Sequence, residues 1–154
     1  MAVVAGRSTE SLGVMQNRGV NPSVVSLVIE RNGVVLLARR STTKDHAPGQ
    51  WEAISGRVEA NETLLEAARR EAFEETGLVV EVLGQLDSFT FRRGADTQDT
   101  FGVTFHCRAL EGPERLSEEH DQFAWVTLGQ AQTYRLPAGL LRCIAVALKE
   151  THDA

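Results

Sequence analysis

Cysteine, proline and tyrosine are all scarce in this chain, at two, four and one residues among 154. Cys107 lies in a strand-like run and Cys143 in a helix-like run, with neither zinc-ligand spacing nor a redox pair, so a disulfide scaffold is excluded and buried thiols are expected. No apolar run approaches membrane length, and the N-terminus lacks the basic-then-apolar order of a secretory signal. No membrane partner is therefore expected, and a cytoplasmic location is. Cations are outnumbered, 16 Lys and Arg against 21 Asp and Glu, for a net charge of -5. That balance argues against nucleic acid, whose binding relies on a basic face. It does not argue against a small phosphorylated substrate, because a bound divalent cation reverses the field inside an acidic pocket. With 42% hydrophobic and 24% charged residues, the composition is that of an ordinary folded protein whose length suits one domain with a substantial core.

Residues 1–20 show no firm period and read as a tail or edge segment, leaving 21–154 as one domain. Val24 to Ile29 and Val34 to Leu37 are rich in β-branched residues and flank Asn32-Gly33, a strong hairpin signal. Ser41 to Gln50 reads as a loop, and Trp51 to Ile54 as a short strand running into a loop at Gly56. Thr63 and Glu66 form a capping box and Gly77 a natural stop, which predicts a helix over about Leu64 to Thr76. Leu78–Leu83, Leu86–Phe91, Phe101–Leu110 and Phe123–Thr127 read as further strands. Arg92 to Asp99 reads as a polar turn, Glu111 to Gln122 as a polar loop, and Leu136 to Lys149 as a second helix. This order of elements suggests an α+β sandwich, a mixed sheet flanked by helices.

The stretch G-R-V-E-A-N-E-T-L-L-E-A-A-R-R-E-A-F-E-E-T-G-L, Gly56 to Leu78, concentrates the chemistry. Glu71, Glu74 and Glu75 stand at i, i+3 and i+4, so on a helix their carboxylates fall within about 100° of arc. Like charges so placed destabilise a helix unless a cation or open solvent compensates; hard divalent metals and a solvated acidic face are the two readings. The whole frame narrows them: Gly56, Glu62, Arg70-Glu71, Glu74-Glu75, Gly77 and apolar Leu78 resemble the Nudix box at every fixed position. Ala72 stands where that family usually has a larger aliphatic residue, and Ile54-Ser55 where many relatives have Pro-Gly.

The resemblance implies a Nudix-like α/β/α sandwich and a Mg²⁺-dependent hydrolase, Mn²⁺ being a possible substitute, that cleaves a phosphoanhydride bond with activated water. It implies Glu71 and Glu75 as metal ligands, Glu74 as a further ligand or the group that prepares the water, and the Ser55 carbonyl as part of a metal shell. Gly56 then serves a tight turn, while Glu62 and Arg70 position the helix; a plain turn residue and a surface salt bridge are the alternatives. Glu119, ahead of Trp125, is the candidate additional acid or base, set against a solvated loop, and neighbouring His120 reads as a surface residue. Arg39 and Arg40 end a strand near the expected cleft, where a guanidinium fork could hold phosphate or simply keep an edge soluble. Trp51, Phe89, Phe91 and Phe105 could stack a base, although aromatics on strands are more often core.

Substrate markers are mostly missing. The proline of ADP-ribose hydrolases is absent near Arg93 or Gly94, the tyrosine of dinucleoside-polyphosphate hydrolases is absent near Ala95 or Asp96, and the coenzyme A pattern fits poorly. Nucleoside triphosphates, oxidised ones included, and unusual diphosphates remain. An isopentenyl-diphosphate-type isomerase would need a cysteine placed unlike Cys107 or Cys143. A non-catalytic nucleotide sensor would commonly lack box carboxylates, which this chain retains. Homodimerisation stays open.

Overall fold

Asn32 and Gly33 both take positive φ, 52° and 82°, as a type I′ hairpin turn requires. They join β1 (Ser23–Arg31) to β2 (Val34–Arg40), with Arg31 opposite Val34. The computed structural model describes residues 23–92 and 99–153; segment 1–20 and the marker positions 93–96 lie outside the described residues.

Beyond the hairpin the two strands part. The start of β1 pairs antiparallel with β4 (Ile54–Arg57), and its other edge runs parallel to β6 (Thr100–Glu111). β6 in turn pairs antiparallel with β5 (Val79–Phe91), while β2 carries β3 (Trp51–Glu52) and β7 (His120–Val126). The result is a seven-stranded mixed sheet.

Alternation along the strands sorts the apolar residues onto two faces. Leu27, Leu36, Ala38, Val103 and Phe105 pack beneath α1 (Leu64–Thr76), whose own contribution is Leu64, Ala67, Ala68 and Ala72. Small side chains on that helical face let the backbone lie close to the sheet, and Ala72, the departure from the family pattern, is fully buried. The helix begins as expected: Thr63 Oγ1 accepts from Glu66 N–H at 3.1 Å, Glu66 Oε1 accepts from Thr63 N–H at 2.8 Å, and Gly77 ends it at φ 74°. On the opposite face Val28, Val35, Leu37 and Val126 meet α3 (Ala138–Asp153) through Cys143, Ile144 and Ala147. Both cysteines are free and buried. Burying one such large aliphatic side chain contributes roughly 1.5–3 kcal/mol. Among the described residues no helix is long and apolar enough to cross a membrane.

Several boundaries depart from the sequence expectation. Gly56 lies inside β4 rather than in a loop, because its backbone is paired with Val25 of β1. The two strands expected between Leu78 and Phe91 are one, with register shifts that include the Val82–Gly84 step and so disturb the side-chain alternation. β7 starts at His120 and not at Phe123. Helix α3 starts after Pro137, and a short α2 (Leu128–Ala131), capped by Thr127 and Gln130, precedes it.

Candidate active site

Box residues converge because α1 lies over β4. Glu71 is buried on the helix underside, and a Cβ placed on Gly56 would overlap its carboxyl group, so any larger residue there would force that carboxyl to move. Arg70 organises the helix start: its guanidinium donates to both carboxylate oxygens of Glu62 at 2.6 and 2.9 Å, to Glu71 at 2.7 Å, to Glu74 at 3.1 Å and to the Arg57 carbonyl at 2.9 Å. Glu62 also accepts from the Glu59 N–H at 2.9 Å, closing the loop that precedes the helix. The Arg70 hydrogen bonds hold the Glu62 carboxyl below its usual range and raise the guanidinium further above its own. Burial pushes the Glu71 carboxyl up even with Arg70 beside it.

A cavity of about 390 Å³ opens between α1 and the sheet, lined by Glu71, Glu75, Glu52, Ser55, Gly56, Arg40, Glu119 and His120 among others. Glu75 Oε2 accepts from Ser117 Oγ at 2.9 Å and stands 3.4 Å from His120 Nδ1. His120 Nε2 lies 2.9 Å from Glu52 Oε2, which is 3.6 Å from Arg40. Burial alone would favour the neutral ring, but Glu52 and Glu75 outweigh it and raise His120 to about 9; burial likewise opposes ionisation of Glu75, and His120 and Ser117 outweigh it to hold that carboxyl low. His120 is thus not the surface residue expected; its ring is buried between two carboxylates.

Other expected residues fall unevenly. Glu74 has a side chain 54% exposed, tied to Arg70 outside this cavity. Arg40 lines the cavity, whereas Arg39 is turned to the other face of β2 and bonded to Asp121 at 2.7 Å. Glu119 is at the rim, paired with Lys44 at 2.6 Å. Gly77 is the helix stop and Ser55 an exposed residue of β4. Sequence reasoning missed Glu52, Ser117 and Lys44. A signal for Glu52 existed: it lies in β3 directly after Trp51, on the face opposite that tryptophan.

A larger cavity of about 960 Å³ adjoins on the α3 side and shares Glu52 and Ser55 with the first. Trp51, Phe89 and Tyr134 are among its walls, with Thr104, Asp87, Arg135 and Arg142 adding polar groups. Tyr134 meets Trp51 edge to face at 5.0 Å. Phe91 stacks on Phe89, and Phe105 is core.

The donor set of the smaller cavity fits a hard divalent cation: four carboxylates, Glu52, Glu71, Glu75 and Glu119, and the strand backbone at Ser55–Gly56, all oxygen, around a buried carboxyl group that gains from a countercharge. Among the described residues no three acidic, histidine or cysteine side chains already stand close enough to share one ion; Glu71 is bonded to Arg70 and Glu75 to Ser117.

The NUDIX domain model matches residues 19–145. Nucleoside triphosphatase NudI of Klebsiella pneumoniae subsp. pneumoniae is 31% identical over 126 residues, covering 75% of this chain and 89% of that protein. Among solved structures, the MutT protein of Methanosarcina mazei Go1 superposes with TM-score 0.67 at 26% identity over 84% of this chain and 94% of that one. The ORF135 protein of E. coli does so with TM-score 0.65 at 28% identity, over 86% and 94%. Box, sheet and family model agree over most of the chain, which belongs to the Nudix hydrolase family.

Proposed function

We propose that the protein hydrolyses a phosphoanhydride bond of a nucleoside triphosphate, oxidised forms included, with Mg²⁺ as cofactor and Mn²⁺ as a working substitute. The observation that carries this reading is the meeting of a carboxylate-lined cavity with an aromatic-walled one at Glu52 and Ser55. A nucleotide needs that pair, a hard-cation end for its phosphates and a flat apolar end for its base. Similarity to a nucleoside triphosphatase supports the substrate class.

Glu71 and Glu75, with the Ser55 carbonyl, are the residues to hold the ion, and Glu74 on the same helical face is a further ligand or the group that prepares water. Bound Mg²⁺ supplies countercharge to the phosphate oxygens and makes water easier to deprotonate. Glu119, at the cavity rim, is the candidate base, and Arg40, which lines the same cavity, is the candidate partner of the phosphates. Glu62 and Arg70 keep the helix start and its carboxylates in place.

Purified protein incubated with Mg²⁺ and a panel of nucleoside triphosphates, ADP-ribose, dinucleoside polyphosphates and nucleotide sugars tests this. A nucleoside triphosphate is the expected substrate, with no turnover after chelation and kcat reduced by about a hundredfold or more in Glu74→Gln and Glu75→Gln. Tight nucleotide binding without any product would replace the hydrolase reading with that of a sensor.

A further inference from the structure

His120 owes its place to a fault in the sheet. Along β2, Leu36 and Ala38 face α1 while Val35 and Leu37 face α3, so Arg40 continues the α1 face. Along β7, Phe123 and Trp125 pack on the α1 side and Ala124 and Val126 on the α3 side. Strict alternation would send His120 with Ala124 and Val126, away from the carboxylates. It does not go there, because the register shifts between Arg39, opposite Gln122, and Arg40, opposite His120. Asp121 is the extra residue, and its carboxylate is taken up by Arg39. The bulge therefore reverses the side of the sheet on which His120 emerges, a recurrent use of such irregularities beside active sites.

Once turned inward, the ring is enclosed, 5% exposed, and presents one nitrogen to each of two carboxylates that come from different elements. Nε2 is 2.9 Å from Glu52 on β3, a hydrogen bond, and Nδ1 is 3.4 Å from Glu75 on α1, an ion-pair distance at which Nδ1 makes no hydrogen bond in this geometry. Ser117 Oγ donates to the same Glu75 oxygen, Oε2, at 2.9 Å. We propose that His120 is a positioning residue, set by the β7 bulge, whose ring fixes the Glu75 carboxylate of the helix relative to Glu52 of the sheet. The proposal rests on the reading of Glu75 as a cation-holding group. It places no role on the ring in contact with substrate.

Comparing His120→Gln with His120→Leu in the full chain isolates positioning from charge, since both substitutes are neutral and of similar size but only glutamine keeps N–H donors. Two quantities are read: kcat and KM on the triphosphate the protein cleaves, and Mn²⁺ affinity by calorimetric titration without nucleotide. The leucine variant is expected to show kcat about tenfold below the glutamine variant, KM values within about twofold of each other, and Mn²⁺ binding about fivefold weaker. Equal kcat and equal Mn²⁺ affinity in the two variants overturn the proposal. If the parent protein cleaves nothing, the hydrolase reading falls, while the Mn²⁺ comparison still decides on His120. Should the leucine variant fail to fold, His120→Ala with and without added imidazole takes its place; recovery of Mn²⁺ affinity by imidazole is expected, and none counts against the proposal.

Discussion

The cavity beneath α1 and the cavity beneath α3 meet at Glu52 and Ser55 and are built in opposite ways. The first is small and ionic, with Glu71 and Glu75 in contact with Arg70, or with Ser117 and His120. The second is more than twice as large and is walled by aromatic and uncharged groups with three charged residues, Asp87, Arg135 and Arg142, among its lining beyond Glu52. Much of the first comes from one segment, Ser55 to Glu75, whereas the second gathers residues from Ser26 to Cys143. Half of the first cavity's lining is thus a local, spacing-defined unit, whereas the second is lined by residues that only the sheet brings together.

The sharpest way to break the first cavity without touching a charge is Gly56→Ala. Its added Cβ would overlap the Glu71 carboxyl, which has the sheet on one side and Arg70 on the other. Activity is expected to fall about a hundredfold as Glu71 is displaced, together with a stability loss of about 1–3 kcal/mol from overpacking. Steady-state kinetics and denaturant unfolding would check both. Unchanged kcat would mean that the close approach of helix and strand has no part in the chemistry.

On the other side the expected effect is smaller and of a different kind. Tyr134→Ala removes the edge-to-face partner of Trp51, an interaction worth about 0.5–1.5 kcal/mol beyond area. The ranking of kcat/KM among bases should shift by up to about tenfold, while kcat on the best triphosphate changes little. A uniform drop in kcat across all bases would instead show that the two cavities do not divide the work.

This division also explains what could be read from the chain. The hairpin at Asn32-Gly33 and the capping box at Thr63 are signals within a few residues of one another, and both appear as expected; the frame from Gly56 to Leu78 forms its helix where expected but begins in β4 and not in a loop. Helix periodicity placed Glu71 and Glu75 on one face because 3.6 residues per turn is a local rule. His120 and Glu52 escaped because their position depends on pairing across β2, and in the case of His120 on a bulge that composition does not announce. Arg39 and Arg40 are adjacent in sequence yet divided between two faces by the period of the strand, so Arg40 alone of the two lines the cavity beneath α1. The uninterrupted β5 followed the same logic: its pairing with β6 spans residues that break alternation.

A third region, remote from both cavities, calibrates how much an ion pair contributes when it has no site to serve. Arg31 at the end of β1 donates to Glu114 at 2.9 Å and lies over the Trp125 ring at 4.5 Å. The hydrogen bond from Arg31 holds the Glu114 carboxyl below its ordinary value of 4.5. A carboxyl with a lowered folded value adds stability that is present above the unfolded value and is lost as pH falls through the folded one. The parent should therefore exceed Glu114→Gln in stability at pH 6 to 7 by no more than about 1 kcal/mol, since both side chains are partly exposed and screened. The gap should narrow as pH drops below about 4.5 and shrink with added salt, while turnover stays at the parent level. Melting curves against pH for the two chains provide the measurement. A gap that persists unchanged into acid would mean that shape at this corner, and not the ion pair, holds the end of β1 against the strand that carries His120.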